Sequence, residues 1–106
     1  NLDLYAKAEH LLGIEEATEA LYDLYRSELE DYRIKTLLDV GCGRGGFITR
    51  MQSDGVKCKG IDLSRVMVDE CISQGLDAEC VDVCEIDGHY DAIVSIFDVL
   101  NFMDED

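Results

Sequence analysis

A chain of 106 residues, 47% of them apolar, is long enough for one domain with a packed core and too apolar to be disordered. Its 24 acids against 9 Lys and Arg give a net charge of −15, weighted toward residues 51–106, which hold 14 acids and 3 bases. Such a surface repels nucleic-acid phosphates and anionic membranes, and no apolar stretch reaches the roughly 20 residues of a membrane span, so neither partner is expected.

The chain opens on Asn1 without a signal-peptide pattern and closes on Asp104-Glu105-Asp106, so it is expected to be part of something longer. Residues from about Asp3 to Tyr32 carry apolar side chains at helical spacing, including Tyr5, Ala8, Leu12, Leu21 and Leu29. Gly13 is expected to split them into two helices, and residues 1–34 form an N-terminal helical segment. From residue 35 to 106 the pattern alternates in the α/β manner. Strand one is expected over Thr36–Val40, then a helix over Gly46–Asp54 closed by Gly55. Strand two covers Lys57–Ile61, and Ser64 caps a helix that reaches Ser73 and is closed by Gly75. Strand three is expected over Asp77–Val81, and strand four over Tyr90–Phe97 as a buried apolar run. Strands separated by short helices imply a parallel sheet with right-handed crossovers.

Five cysteines (Cys42, Cys58, Cys71, Cys80 and Cys84) are an odd number without a CxxC spacing. They read as reduced, mostly buried thiols in a cytoplasmic protein, and no metal site is expected.

The segment Leu37–Phe47, LLDVGCGRGGF, concentrates the chemistry. An apolar strand runs into Gly41, Gly43, Gly45 and Gly46, a turn expected to expose backbone N–H groups to a ligand. The glycines fit both G-x-G-x-x-G and G-x-G-x-G, and either alone is a weak signal. Asp39 discriminates, because an acid two residues before the first glycine opposes a pyrophosphate and favours a cation such as an ammonium or a sulfonium. Asp62 ends strand two, 21 residues after Gly41, where an acid can accept from two ribose hydroxyls. Asp82 ends strand three, and Asp98 follows strand four. Any one of these acids reads most simply as a solvated loop residue. Their clustering at strand ends beside a glycine turn is harder to dismiss.

These motifs resemble the class I S-adenosylmethionine-dependent methyltransferases of the small-molecule type. Leu38-Asp39-Val40-Gly41-Cys42-Gly43-Arg44-Gly45 is similar to the family's first motif and Gly60-Ile61-Asp62-Leu63-Ser64 to its second. Asp82-Val83 and Tyr90-Asp91-Ala92-Ile93-Val94-Ser95 are similar to the third and fourth. The resemblance implies a Rossmann-like three-layer α/β sandwich, with four strands of a seven-stranded sheet in the order 3-2-1-4. It implies cofactor contacts at Asp39, Gly41, Cys42 and Gly43 for the methionine moiety, Asp62 for the ribose, Leu63, Asp82 and Val83 for the adenine, and Phe97 near the sulfonium. A small-molecule methyl acceptor is implied, with Asp98 and Asn101 as candidate catalytic residues and Tyr5, Tyr22 or Tyr25 behind them. An Asp-Pro-Pro-Tyr motif, typical of relatives acting on base amines, is absent; the stretch reads Phe97-Asp98-Val99-Leu100. His10 and His89 read as surface residues. Strand four would be an edge, expected either to be covered by a continuing chain or to pair with a second copy as a homodimer. Two alternatives stand beside this reading: a non-catalytic binding module of the same fold, and a nicotinamide-dependent oxidoreductase.

Overall fold

The computed structural model describes residues 14–96, with side chains from residue 18 onward. The chain divides into two compact units, Asn1–Arg33 and Ile34–Asp106. In the first, helix α1 spans Ile14–Glu30, starting directly after Gly13, and is followed by a turn in which the Tyr32 N–H donates to the Leu29 carbonyl (3.1 Å).

The second unit is built on β1 (Thr36–Val40), α2 (Gly46–Ser53), β2 (Lys57–Ile61), α3 (Arg65–Ser73), β3 (Ala78–Glu79) and β4 (Ala92–Val94). All pairings are parallel, and the order is β3-β2-β1-β4. The chain therefore moves outward from β1 through β2 to β3, then returns to the other side of β1. Right-handed crossovers put α2 and α3 on the same face. Strand order reverses at β1, and an open parallel sheet binds ligands outside the carboxyl ends of its strands at such a reversal.

Leu37 and Leu38 point to opposite faces of β1 and are both fully buried, as in the centre of a parallel sheet. Phe47, Ile48 and Met51 of α2, Ile61 of β2, and Val68 and Cys71 of α3 pack into the same core, with Cys42, Val56, Cys58, Val94 and Ile96 also buried. Ser64 caps α3, its Oγ accepting from the Met67 N–H (3.4 Å). Beyond Gly75, the Leu76 N–H closes back on the Cys71 carbonyl (3.0 Å).

Two strands differ from expectation. β3 has two residues, because the chain leaves the sheet to form a 3-10 turn at Val83–Glu85 that is capped by the Asp82 side chain. β4 has three described residues and begins only after Asp91, whose backbone N–H goes to the Thr36 hydroxyl (2.9 Å) rather than to a strand neighbour. Ile93 on β4 is 62% exposed, so the expected buried run is interrupted at the sheet edge.

Candidate functional site

The turn after β1 is tied down from two sides. On the sheet side, the Gly41 and Cys42 N–H groups both donate to the Ile61 carbonyl (2.8 and 3.0 Å). Gly43 N–H donates to Asp62 Oδ2 (2.9 Å), and Gly45 N–H to the Cys42 carbonyl (3.0 Å). The expectation that the turn turns these N–H groups outward is corrected: the end of β2 takes up three of them and the turn itself the fourth. A phosphate cradle needs such donors unoccupied.

On the helix side, Cys71 Sγ donates to the Gly43 carbonyl (3.1 Å) and Gln74 Nε2 to the Arg44 carbonyl (3.0 Å). Arg44 Nε pairs with Glu70 Oε2 (3.2 Å). Glu70, Cys71 and Gln74 share one face of α3 and its end, a set that sequence reasoning missed. Two glycines make this packing possible. A Cβ on Gly45, whose φ is +83°, would collide with Leu76 Cδ1 and lie 3.2 Å from Cys71 Sγ. A Cβ on Gly60 would fall 2.7 Å from both Cys42 Sγ and Ile48 Cδ1.

Asp62 follows β2 directly and is half-buried. Its Oδ2 accepts from Gly43 and its Oδ1 from the Ser64 N–H (2.9 Å). An ionised carboxylate has about four acceptor positions, so about two remain for a ligand. Asp62 lines a cleft of about 120 Å³ together with Gly41, Ile61, Leu63, Asp82 and Val83. Leu63 and Val83 are 74% and 44% exposed and give the cleft apolar walls. Asp82 Oδ1 accepts from the Cys84 N–H (3.0 Å). Val83 is the first residue of that 3-10 turn, and an N–H at this position has no partner within its own turn. Small-molecule pockets usually measure roughly 300–1,000 Å³, so this cleft fits one portion of a ligand.

The structure thus brings Gly41, Asp62, Leu63, Asp82 and Val83 together, with Gly43 one hydrogen bond away. Asp39 is 3% exposed within β1, between Gly60 and Val94 in register, and is not part of the cleft wall. Its buried charge acts on the neighbouring thiols. Burial first, and Asp39 second, push Cys58 up to about 11. Cys42 and Cys71 are also raised, chiefly by burial, with Asp39 adding to it. The Cys42 thiol lies beneath the turn against Gly60, and the whole residue is buried. Tyr22 and Tyr25 lie on α1, in the first unit. Tyr5, His10, Phe97, Asp98 and Asn101 fall outside the described residues. Among the described residues, no group of three or more His, Cys, Asp or Glu is placed to hold a metal ion, and no helix is long and apolar enough to cross a membrane.

Residues 37–106 match the family described as a methyltransferase domain. No curated protein matches the chain. The magnesium protoporphyrin IX methyltransferase of Synechocystis PCC 6803, solved with S-adenosylmethionine, has 19% identity and a TM-score of 0.63 over 73% of this chain and 42% of its own. A mycolic acid cyclopropane synthase complexed with S-adenosylhomocysteine has 28% identity and a TM-score of 0.70 over 81% of this chain and 33% of its own. A [4+2]-cyclase has 30% identity and a TM-score of 0.62 over 74% of this chain and 33% of its own. The chain spans less than half the length of each of these proteins.

Proposed function

The chain belongs to the methyltransferase domain family, and from that premise we propose that it is the S-adenosylmethionine-binding portion of an enzyme that methylates a small molecule. The observation that carries this reading is the position of Asp62, at the carboxyl end of β2, bonded to the glycine turn and lining the cleft with Leu63, Asp82 and Val83.

The donor and acceptor set fits the cofactor. Asp62 keeps acceptor capacity for two ribose hydroxyls beyond its two backbone bonds. Leu63 and Val83 offer apolar contact to a flat base, Asp82 an acceptor for its amine, and the Val83 N–H a donor to its ring. Asp39, Gly41, Cys42 and Gly43 are proposed for the methionine end, with Asp39 supplying negative potential for an ammonium and the turn supplying backbone contacts. When bound, the cofactor supplies an electrophilic methyl carbon on a sulfonium. The residues of this chain hold and orient it, and a rigid turn keeps that geometry through the reaction. Phe97, Asp98 and Asn101 are proposed to border the acceptor.

The protein structures similar to this chain include a porphyrin methyltransferase and a cyclopropane synthase, which supports a small-molecule acceptor. The acidic surface of the chain supports the absence of nucleic-acid and membrane partners. None of the five cysteines is in a disulfide, which supports a reducing, cytoplasmic setting. The exposed β4 edge supports a homodimer through that strand where the parent chain does not cover it. Residues 35–106 are proposed as the cofactor-binding half of a longer domain, with residues 1–34 as a helical segment before it.

Similarity to a [4+2]-cyclase favours one second reading, a member of the fold that binds its ligand without transferring a methyl group. A nicotinamide dinucleotide is disfavoured by Asp39 and by the internal bonds of the turn's N–H groups. Calorimetry with S-adenosylmethionine and NAD tests the cofactor: binding of the first and not the second is expected, and preference for NAD overturns the reading. Methyl transfer from labelled cofactor by the parent protein then separates the enzyme from the binding module.

A further inference from the structure

A second cavity opens at the other end of the sheet. It measures about 280 Å³, more than twice the cleft at the carboxyl ends, and its walls include Thr36, Lys57, Lys59, Asp77, His89 and Tyr90. Thr36 and Lys57 are the first residues of β1 and β2. Five residues of β1, at about 3.3 Å each, set this cavity roughly 15 Å from the cleft.

The wall is built rather than incidental. His89 and Tyr90 sit on the turn before β4, and Asp91 anchors that turn to the start of β1. Asp91 Oδ2 accepts from the Lys35 and Thr36 N–H groups (2.7 and 3.2 Å), and the Asp91 N–H donates to Thr36 Oγ1 (2.9 Å). The Thr36 hydroxyl accepts in that bond, so its own hydrogen remains to be donated.

Charge is distributed unevenly between the two ends. The chain carries 24 acids and 9 bases, yet this wall carries two lysines and one acid. The arginines of the unit are engaged elsewhere: Arg44 with Glu70, Arg65 with Asp69, and Arg50 with the Gly46 carbonyl. Lys59 pairs with Glu79 (3.1 Å). Lys57 is exposed and has no ion-pair partner among the described residues, and Lys35, whose carbonyl accepts from the Lys57 N–H (2.9 Å), is exposed at the same end. An ammonium with no partner, beside a threonine hydroxyl, a tyrosine and a histidine, is a donor set for an oxyanion.

We propose that this cavity is a second ligand site, one that takes a small molecule through a single phosphate or carboxylate group. Asp77 limits it to one such group, because a second negative charge would face that carboxylate. The volume lies near the lower end of small-molecule pockets, which suits a metabolite-sized ligand.

The test is an amide-resolved NMR titration of the full chain with inorganic phosphate, with acetate, and with sodium chloride at matched ionic strength. Saturable shifts at Thr36, Lys57, His89 and Tyr90 with phosphate or acetate, and none with chloride, are expected, and the stronger of the two names the group. Lys57→Glu should weaken binding roughly tenfold or more, the scale of one lost charge-assisted contact. Arg65→Glu makes the same change of charge at the first turn of α3, where an acid suits the helix dipole, and should leave binding intact. Shifts that follow ionic strength, centre on Gly41–Gly45, or persist unchanged in Lys57→Glu would overturn the proposal. The Lys57 side chain is exposed, and an otherwise unshifted spectrum of the variant verifies its fold.

Discussion

Asp62 holds the glycine turn through the Gly43 N–H and starts α3 through the Ser64 N–H, both at 2.9 Å. Replacing it with alanine removes these acceptors along with those proposed for the ribose. Asp62→Ala is expected to weaken S-adenosylmethionine binding by roughly 1.5–3 kcal/mol, read by calorimetry, and an unchanged dissociation constant refutes the ribose assignment. Asp62→Asn keeps a single acceptor oxygen, so it retains one of the two backbone bonds and should fall between wild type and alanine. Gly60 carries a different kind of constraint, since the obstacle is space. Its missing Cβ would lie 2.7 Å from Cys42 Sγ and Ile48 Cδ1, within the core under the turn. Gly60→Ala is expected to cost about 1–3 kcal/mol in urea unfolding, the range for overpacking a tight core. A loss below about 0.5 kcal/mol would mean that Cys42 and Ile48 move aside.

At the level of elements, α3 serves the turn as a clamp. Glu70, Cys71 and Gln74 reach Arg44 and Gly43 from one side, while Asp62 reaches Gly43 from the other. Gln74→Ala removes an exposed member of the clamp without touching the cleft. Amide exchange at Gly43 and Gly45 is then expected to rise roughly three- to tenfold, the equivalent of one ordinary hydrogen bond, and unchanged exchange would show that Cys71 and Asp62 suffice. The ties from α3 were not legible in the sequence, because each joins a helix to a turn roughly thirty residues earlier. The bounds of β1 and β2 and the Ser64 cap were legible, since apolar runs there are bracketed by turn chemistry that acts locally. β3 and β4 were overestimated for a shared reason. Among the described residues each is an edge with one neighbour, so a single side chain, Asp82 or Asp91, can divert the backbone from the ladder. The acids at strand ends were legible as a cluster. The inward direction of the turn's N–H groups was not, because the Ile61 carbonyl that takes two of them comes from the neighbouring strand.

Across the whole molecule, burial sorts the cysteines and charge governs association. Cys42, Cys58 and Cys71 are buried, Cys80 is half-buried and Cys84 exposed. A disulfide reagent at pH 8 is expected to label two thiols quickly and three only on unfolding. The raised thiols also tie stability to pH. Burial pushes the Cys58 thiol from its ordinary 9.0 in the unfolded chain up to about 11 in the folded one, so between these values the unfolded state binds fewer protons. Its contribution is complete below pH 9 and is lost as pH rises toward 11, about 2–3 kcal/mol for this one group; Cys58→Ala should flatten the decline of urea-measured stability over that window. Association sets two features against each other. Among the described residues the β4 edge has no strand neighbour beyond β1, and it presents Ile93, 62% exposed, as a surface for a second copy, whereas a net charge of −15 drives copies apart. Salt screens the repulsion and leaves the apolar contact in place. The mass from light scattering is therefore expected to climb from one chain toward two as salt and protein concentration rise. Ile93→Lys should hold it at one chain, because a lysine blunts an exposed edge, with stability within about 0.5 kcal/mol of wild type for a surface position. A wild-type mass that stays at one chain in high salt and at high concentration removes the β4 interface.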